Sequence, residues 1–227
     1  QGAFVALLDH NTEAVEREAA AIAAEHGPAM GRPCDVADEA DVAAAIAEVA
    51  ARFGGLDVLV NNAGIEQPVT PSHEVDADLF SRVVDVNLKG TFYGCKHAIP
   101  HMLARGGGSI VNNSSVSAFA NVGGNVSYAA TKGAVMSLTR VLALEYARSG
   151  IRVNAVNPGV IDTAMNARNL DLAADPQEVR ARWADATPLG RMADPEEVAW
   201  SMLFLASGMS SFTTGVGLLV DGGRVAT

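Results

Sequence analysis

The stretch Gly106-Gly107-Gly108-Ser109-Ile110-Val111-Asn112-Asn113 decides the fold. Three glycines read as a turn, and Ser109 to Asn113 reads as a strand leaving it. Val126 to Ala147 then reads as a helix, and Ile151 to Val156 as the next strand. Strand, helix and strand in that order predict a βαβ unit, whose two strands run parallel.

The alternation continues outward in both directions. Phe4 to Leu8 is a short apolar run suited to a buried parallel strand. Thr12 to Glu25, rich in Ala and Glu, predicts a helix stopped by Gly27-Pro28. A weaker strand over Ala29 to Cys34 precedes a helix over Glu39 to Phe53, ended by Gly54-Gly55. Leu56 to Val60 is a strand, and a long helix covers Asp76 to Leu103, with Pro100 expected to bend or end it. Pro195 to Ala206 is a helix and Val216 to Val220 the last strand. The expected fold is α/β, a doubly wound parallel sheet with helices on both faces, in one domain over residues 1–227. Residues 161–190, broken by Pro176 and Pro188, form its least regular part and are expected to be a substrate lid.

Composition narrows the function. The 227 residues carry 16 Lys plus Arg against 26 Asp plus Glu, a formal net charge of -10. That balance argues against nucleic acid and against anionic lipid surfaces as partners. No apolar run approaches the ~18 residues of a membrane span, and there is no signal-like start. The two cysteines, Cys34 and Cys95, are far apart and form no metal or redox motif, which points to a reduced, cytoplasmic setting.

The chemistry gathers late in the chain. Tyr128 and Lys132 are four apart on a predicted helix, so phenol and ammonium share a face. A cation about 4 Å away, at an effective dielectric near 20, would lower the phenol pKa by roughly three units, toward the range of general acid/base catalysis. Ser115 stands where the strand from Ser109 runs out, where its hydroxyl could hold a substrate oxygen. Read alone, Ser114, Ser115 and Ser117 are turn residues. Asp9 ends the first strand, and in dinucleotide-binding folds an acid there accepts from the ribose hydroxyls and repels a 2′-phosphate. NAD(H) is therefore expected over NADP(H), with Asn11 or Thr12 better placed than Asp9 to cap the following helix. His97 and His101 have metal-ligand spacing but no carboxylate or Cys motif beside them, so no metal is expected.

Ser115, Tyr128 and Lys132 at these spacings resemble the catalytic set of the short-chain dehydrogenase/reductase family. Asn61-Asn62-Ala63-Gly64, Asn87 within Val86-Asn87-Leu88, Pro158-Gly159 with Thr163, and Val220-Asp221-Gly222-Gly223 match the family in the same order, so the resemblance covers essentially the whole chain. It implies interconversion of a secondary alcohol and a ketone by hydride transfer. Tyr128 is then the general acid/base, Lys132 lowers its pKa and binds the nicotinamide ribose, and Ser115 orients the reacting oxygen. Asn87, otherwise an ordinary helix residue, holds a relay water. Asp35, Val36, Asn62, Ala63 and Gly64 lie on the adenosine side. Pro158, Gly159, Ile161 and Thr163 lie at the nicotinamide end. The family also implies a homotetramer built on the helices at 76–103 and 126–147, and a small-molecule substrate in a pocket lined by Val116, Phe119, Val122 and Met165. A 3-oxoacyl carrier-protein reductase is the enzymatic alternative, disfavoured by the acidic charge and by Asp9. A degenerate nucleotide-binding scaffold is the non-enzymatic one.

One family feature does not appear. None of the 22 glycines is spaced as in the phosphate-cradling turn T-G-x-x-x-G-x-G. The sequence therefore leads us to expect that a βα unit of roughly 25–30 residues belongs ahead of Gln1, and that its absence opens a gap in the sheet.

Overall fold

The computed structural model describes residues 2–121, 123–171 and 174–226, with the side chains of 168–171 excepted. Among the described residues six strands and eight helices follow in the order β1 Val5–Asp9, α1 Thr12–Glu25, β2 Ala29–Pro33, α2 Glu39–Phe53, β3 Val58–Asn61, α3 Ala77–Val84, α4 Gly90–Arg105, β4 Gly108–Asn113, α5 Val126–Tyr146, β5 Ile151–Pro158, α6 Ala164–Asp171, α7 Pro176–Asp185, α8 Pro195–Ala206 and β6 Gly217–Val220. Every strand pairing is parallel. The parallel α/β class expected from the sequence is the one observed.

Local chemistry explains the boundaries. Asn11 caps α1 by accepting from Ala14 N at 3.0 Å. Asp38 caps α2, and Asp194 with Glu197 forms a capping box on α8. Gly106 ends α4 at φ 82, a left-handed conformation that glycine adopts without steric cost.

Three expectations change. The long helix from Asp76 does not end at Pro100: α4 runs through it to Arg105. The discontinuity falls earlier, where Asp85–Lys89 forms a π-helical turn between α3 and α4. The described residues of 161–190 hold two helices, α6 and α7, with Asp175 capping α7 and Pro176 in its first turn.

The strands form two sheets. One has the order β1-β2 and the other β3-β4-β5-β6. No hydrogen-bonded ladder joins β1 to β3, whose Val58 and Val60 are exposed. This division does not establish the absent βα unit expected from the sequence. The larger core packs β4 and β5 (Ile110, Ile151, Val153) against α2, α4 and α5; a second cluster joins Val111, Val156 and Ile161 to α8 through Val198 and Leu205.

Candidate active site

The carboxyl end of β4 and the first two turns of α5 build the site. Beyond Asn113 the chain leaves the sheet through Ser114, whose buried hydroxyl donates to Lys132 O at 2.9 Å. This bond ties the strand end to the helix carrying the titratable pair. Ser115 is extended and 7% exposed, its Oγ accepting from Ser117 N at 3.1 Å. Its side chain lies beside the Tyr128 phenol and favours that group's ionised form. Lys132, 3% exposed, donates from Nζ to Asn113 O at 2.7 Å and lies 5.3 Å from the centre of the Tyr128 ring. Ser115, Tyr128 and Lys132 therefore meet, as their spacing predicts.

The electrostatics differ from expectation. Burial pushes the Tyr128 phenol up to about 12; the Ser115 side chain pulls against this and the Glu66 carboxylate adds to it. Lys132 is the neighbouring cation. Its ammonium lies over the ring face and is drawn to a backbone carbonyl, and burial takes its own pKa down to about 8.

Asn87 sits in the π-helical turn, 1% exposed. Single π-helical turns of this kind occur frequently at functional sites. Asn87 Oδ1 accepts from Ile65 N at 2.8 Å, and its Nδ2 donates to Ile65 O at 2.9 Å and to Thr131 Oγ1 at 3.3 Å. It thus joins the loop after β3 to α5. A Cβ on Gly64 would lie 3.4 Å from Asn87 Oδ1 and 3.6 Å from Lys132 Nζ, ordinary contacts, so Gly64 borders the site without needing to be glycine.

The residues expected at a cofactor follow the carboxyl edges of the strands. Asp9 closes β1, its Oδ1 accepting from Asn11 N at 2.8 Å; Asn11, not Asp9, caps α1. Asp35 is exposed after β2 and accepts from Ala37 N at 2.9 Å, while Val36 packs against the core beside Gly90. Asn62 and Ala63 are exposed at the end of β3, with Asn62 Oδ1 accepting from Asn113 Nδ2 at 2.8 Å. Pro158 ends β5. Gly159 is glycine for packing, because a Cβ there would come within 2.9 Å of Asp221 Cα. The Ile161 side chain is in the core, so only its backbone faces the edge. Thr163 Oγ1 accepts from Asn166 N at 3.4 Å, just before α6.

Of the expected pocket, Val116 is buried, Met165 half-buried and Phe119 exposed. Val122 lies outside the described residues. None of the three described residues lines the cavity of about 550 Å³ that opens between Val160, Leu189 and Val220. His97 does have a carboxylate beside it after all: Glu39 of α2 lies 3.2 Å away and also pairs with Lys96. Among the described residues no group of three or more His, Cys, Asp or Glu is arranged for a metal ion, and no helix is long and apolar enough to cross a membrane.

A family model described as "Enoyl-(Acyl carrier protein) reductase" matches residues 1–224. The cis-4-hydroxycyclohexanecarboxylate dehydrogenase of Sinomonas cyclohexanicum is 48% identical over 192 residues, 85% of this chain and 75% of that one. The solved structure of levodione reductase superposes with a TM-score of 0.96 at 34% identity, covering 100% of this chain and 89% of its own. A gluconate 5-dehydrogenase from Burkholderia cenocepacia, solved with NADP and tartrate, gives a TM-score of 0.92 at 37% identity, covering 100% and 87%. The chain belongs to the short-chain dehydrogenase/reductase family. It is an enzyme, an oxidoreductase of the alcohol–ketone type.

Sequence reasoning missed the wall of this dehydrogenase's site. Gln67, 3% exposed, donates from Nε2 to Gly124 O at 3.1 Å and accepts at Oε1 from Ser127 N at 2.8 Å and from the Ser127 hydroxyl. Asn125 Nδ2 donates to Glu66 Oε1 at 3.1 Å. The available signal was the position of Glu66-Gln67 directly after Asn-Asn-Ala-Gly-Ile, two polar residues where the chain leaves a strand end.

Proposed function

We propose that the enzyme oxidises a secondary alcohol with NAD, or reduces the ketone with NADH, through Tyr128, Ser115, Lys132 and Asn87. The observation carrying this reading is the convergence of the Ser115 hydroxyl, the Tyr128 phenol and the Lys132 ammonium at the end of β4. In reduction the Tyr128 phenol gives its proton to the ketone oxygen, and in oxidation its phenolate takes the proton of the substrate hydroxyl, while Ser115 holds the substrate oxygen in line. A nicotinamide held there would supply the hydride acceptor for the carbinol carbon. Lys132 places positive charge beside the phenol and can donate to a ribose hydroxyl. Asn87, with its amide fixed on Ile65, lies next to Lys132 and can hold a relay water.

Several features support a dinucleotide here. Asn113 Oδ1 is buried at the edge of β4 with no hydrogen-bond partner, an acceptor waiting for a donor. Asp9 supplies an acceptor suited to ribose hydroxyls and hostile to a 2′-phosphate, and Asp35 with Val36 borders the adenine side. Pro158, Gly159, Ile161 and Thr163 supply backbone and hydroxyl groups toward the nicotinamide, and Asn62, Ala63 and Gly64 border the ribose. The described residues include no glycine-rich phosphate turn. We also assign the enzyme to the cytoplasm as a homotetramer. Leu144 of α5 and Trp200 of α8, 83% and 57% exposed, are apolar surface available for subunit contact. Light scattering at four times the chain mass would confirm the assembly, and a monomer would refute it.

Tyr128→Phe tests the chemistry. Loss of its proton-transfer group should lower kcat by roughly 10²–10⁴-fold while circular dichroism stays unchanged. Undiminished NAD-dependent turnover would refute the assignment.

A further inference from the structure

The helix that carries Tyr128 is not capped by the residue that precedes it. Asn125, at the start of α5, makes no side-chain cap bond. The cap comes from another part of the chain. Gln67, in the loop after β3, accepts at Oε1 from Ser127 N at 2.8 Å and from the Ser127 hydroxyl. We propose that Gln67 is a positioning residue for the reaction. By capping α5 from outside, it fixes the turn that sets the Tyr128 phenol against Ser115 and Lys132, a role that rests on the Tyr128 chemistry proposed above.

A helix leaves its first N–H groups without partners inside the helix, and a side-chain oxygen that accepts one of them holds the first turn in place. Ser127 N is such a group, and Ser127 is the residue directly before Tyr128. Ser127 is 0% exposed and Gln67 3% exposed, so bulk water does not take over the cap. Without Gln67 a buried donor would go unmet, at the cost of its desolvation. Gln suits the position for a second reason. Its Nε2 donates to Gly124 O at 3.1 Å while its oxygen takes the two Ser127 donors. A carboxylate accepts but does not donate, and would face the Gly124 carbonyl. A thioether is only a weak acceptor and donates nothing.

The cap is one side of a closed circuit around the tyrosine. Asn87 holds Ile65, two residues before Gln67, at both N and O. Asn87 Nδ2 also donates to Thr131 Oγ1 at 3.3 Å, and Thr131 Oγ1 donates to Tyr128 O at 2.8 Å. Tyr128 is therefore held through Ser127 on one side and through Thr131 on the other, and both paths return to residues 65–67. Gly124 closes the base. Its carbonyl also accepts from Thr70 N at 2.9 Å, and its φ of +86 favours glycine. Side chains locked by a supporting shell of hydrogen bonds keep a reacting geometry, and a displacement of about 1 Å costs on the order of 10²-fold in rate.

The test is steady-state kinetics of the full chain on cyclohexanol and cyclohexane-1,2-diol, with NAD and with NADP. Gln67→Met removes the amide at similar volume. It should lower kcat roughly tenfold to a hundredfold while KM for the alcohol stays within about twofold, because the phenol is displaced and the substrate still binds. Gln67→Glu keeps the acceptor for Ser127 and loses only the bond to Gly124, so it should restore most of kcat. Ser127→Ala removes one of the two donors and should lower kcat a few-fold. Added to Gln67→Met it should cost nothing further, since the two changes break one contact. Circular dichroism checks that each variant folds. A folded Gln67→Met with the kcat of the wild type, a loss confined to KM, or a loss that Gln67→Glu shares in full overturns the proposal. If Gln67→Met does not fold, Ser127→Ala decides, and a wild-type kcat there overturns it. An inactive Tyr128→Phe beside a fully active Gln67→Met removes the positioning role alone. A fully active Tyr128→Phe, or a wild type that oxidises neither alcohol, removes the proposed chemistry as well.

Discussion

The two sheets are unequal. In the β3–β6 sheet, the adjoining strands β4 and β5 are buried nearly throughout, with Ile110, Val111, Ile151, Val153, Ala155 and Val156 at 0% exposure. In the β1–β2 sheet only Met30 is buried, and Val5 to Leu8 are half-covered. The proposed acid/base groups stand on the first, the acid proposed to select the cofactor on the second. Positions that must hold a proton path to fractions of an ångström gain from a core on both faces, whereas a carboxylate that contacts a ribose tolerates a looser frame.

The sharpest way to break this comparison is to remove matched apolar volume from each half. Ile110→Ala should cost about 2–5 kcal/mol in denaturant unfolding, since it leaves a cavity between β4 and the helices. Leu7→Ala, on a half-covered strand, should cost about 1 kcal/mol. Equal losses would mean that the two sheets unfold as one equally packed unit. Hydrogen exchange should likewise be slower in β4 and β5 than in β1.

A smaller effect separates function from stability inside the better-packed half. Lys132 titrates at about 8 when folded against an ordinary value of 10.5, because burial disfavours its charge. The unfolded chain therefore holds its proton more tightly, and stability should rise with pH between about 8 and 10.5. Below pH 8 the full penalty is present, about 3 kcal/mol from the difference between the two values. Lys132→Met should be more stable than the wild type at pH 7, should lose that advantage as pH rises through this window, and should be inactive. Thermal melts across the window check the sign; a wild type that loses stability there, relative to the variant, would show that the ammonium is not buried at a cost.

Much of the frame was legible in the sequence because its punctuation is local. Helices α1, α2 and α8 match their expected bounds, being set by Asn11, Asp38, Gly54 and Asp194. The meeting of Tyr128 with Lys132 needed only helical spacing. The π-helical turn at Asp85–Lys89 was not legible, because one extra residue per turn leaves no mark in composition. Helices α6 and α7 were hidden because prolines that begin or follow a helix read as breaks when counted without their caps. Where the Lys132 ammonium lies relative to the Tyr128 ring is set by tertiary packing, and Glu66 and Asn125 meet only when the loops after β3 and before α5 are brought together.

The smallest expected effect lies in the looser half and sharpens the contrast most cleanly. Asp9 has half of its side chain in solvent, so its interactions are screened. Asp9→Asn keeps its shape and removes the charge that opposes a 2′-phosphate. The ratio of kcat/KM with NAD to that with NADP should fall roughly tenfold, about 1.4 kcal/mol. Unfolding stability should stay within about 0.5 kcal/mol, as for an ordinary surface change. The contrasting substitution in the other half, Lys132→Met, should raise stability at pH 7 while abolishing activity. If Asp9→Asn instead destabilises the chain as a core substitution does, the β1–β2 sheet is structural frame and not an adjustable cofactor platform. A wild type that already prefers NADP would place cofactor selection elsewhere, because the Asp9 carboxylate cannot favour a second negative charge at its own position.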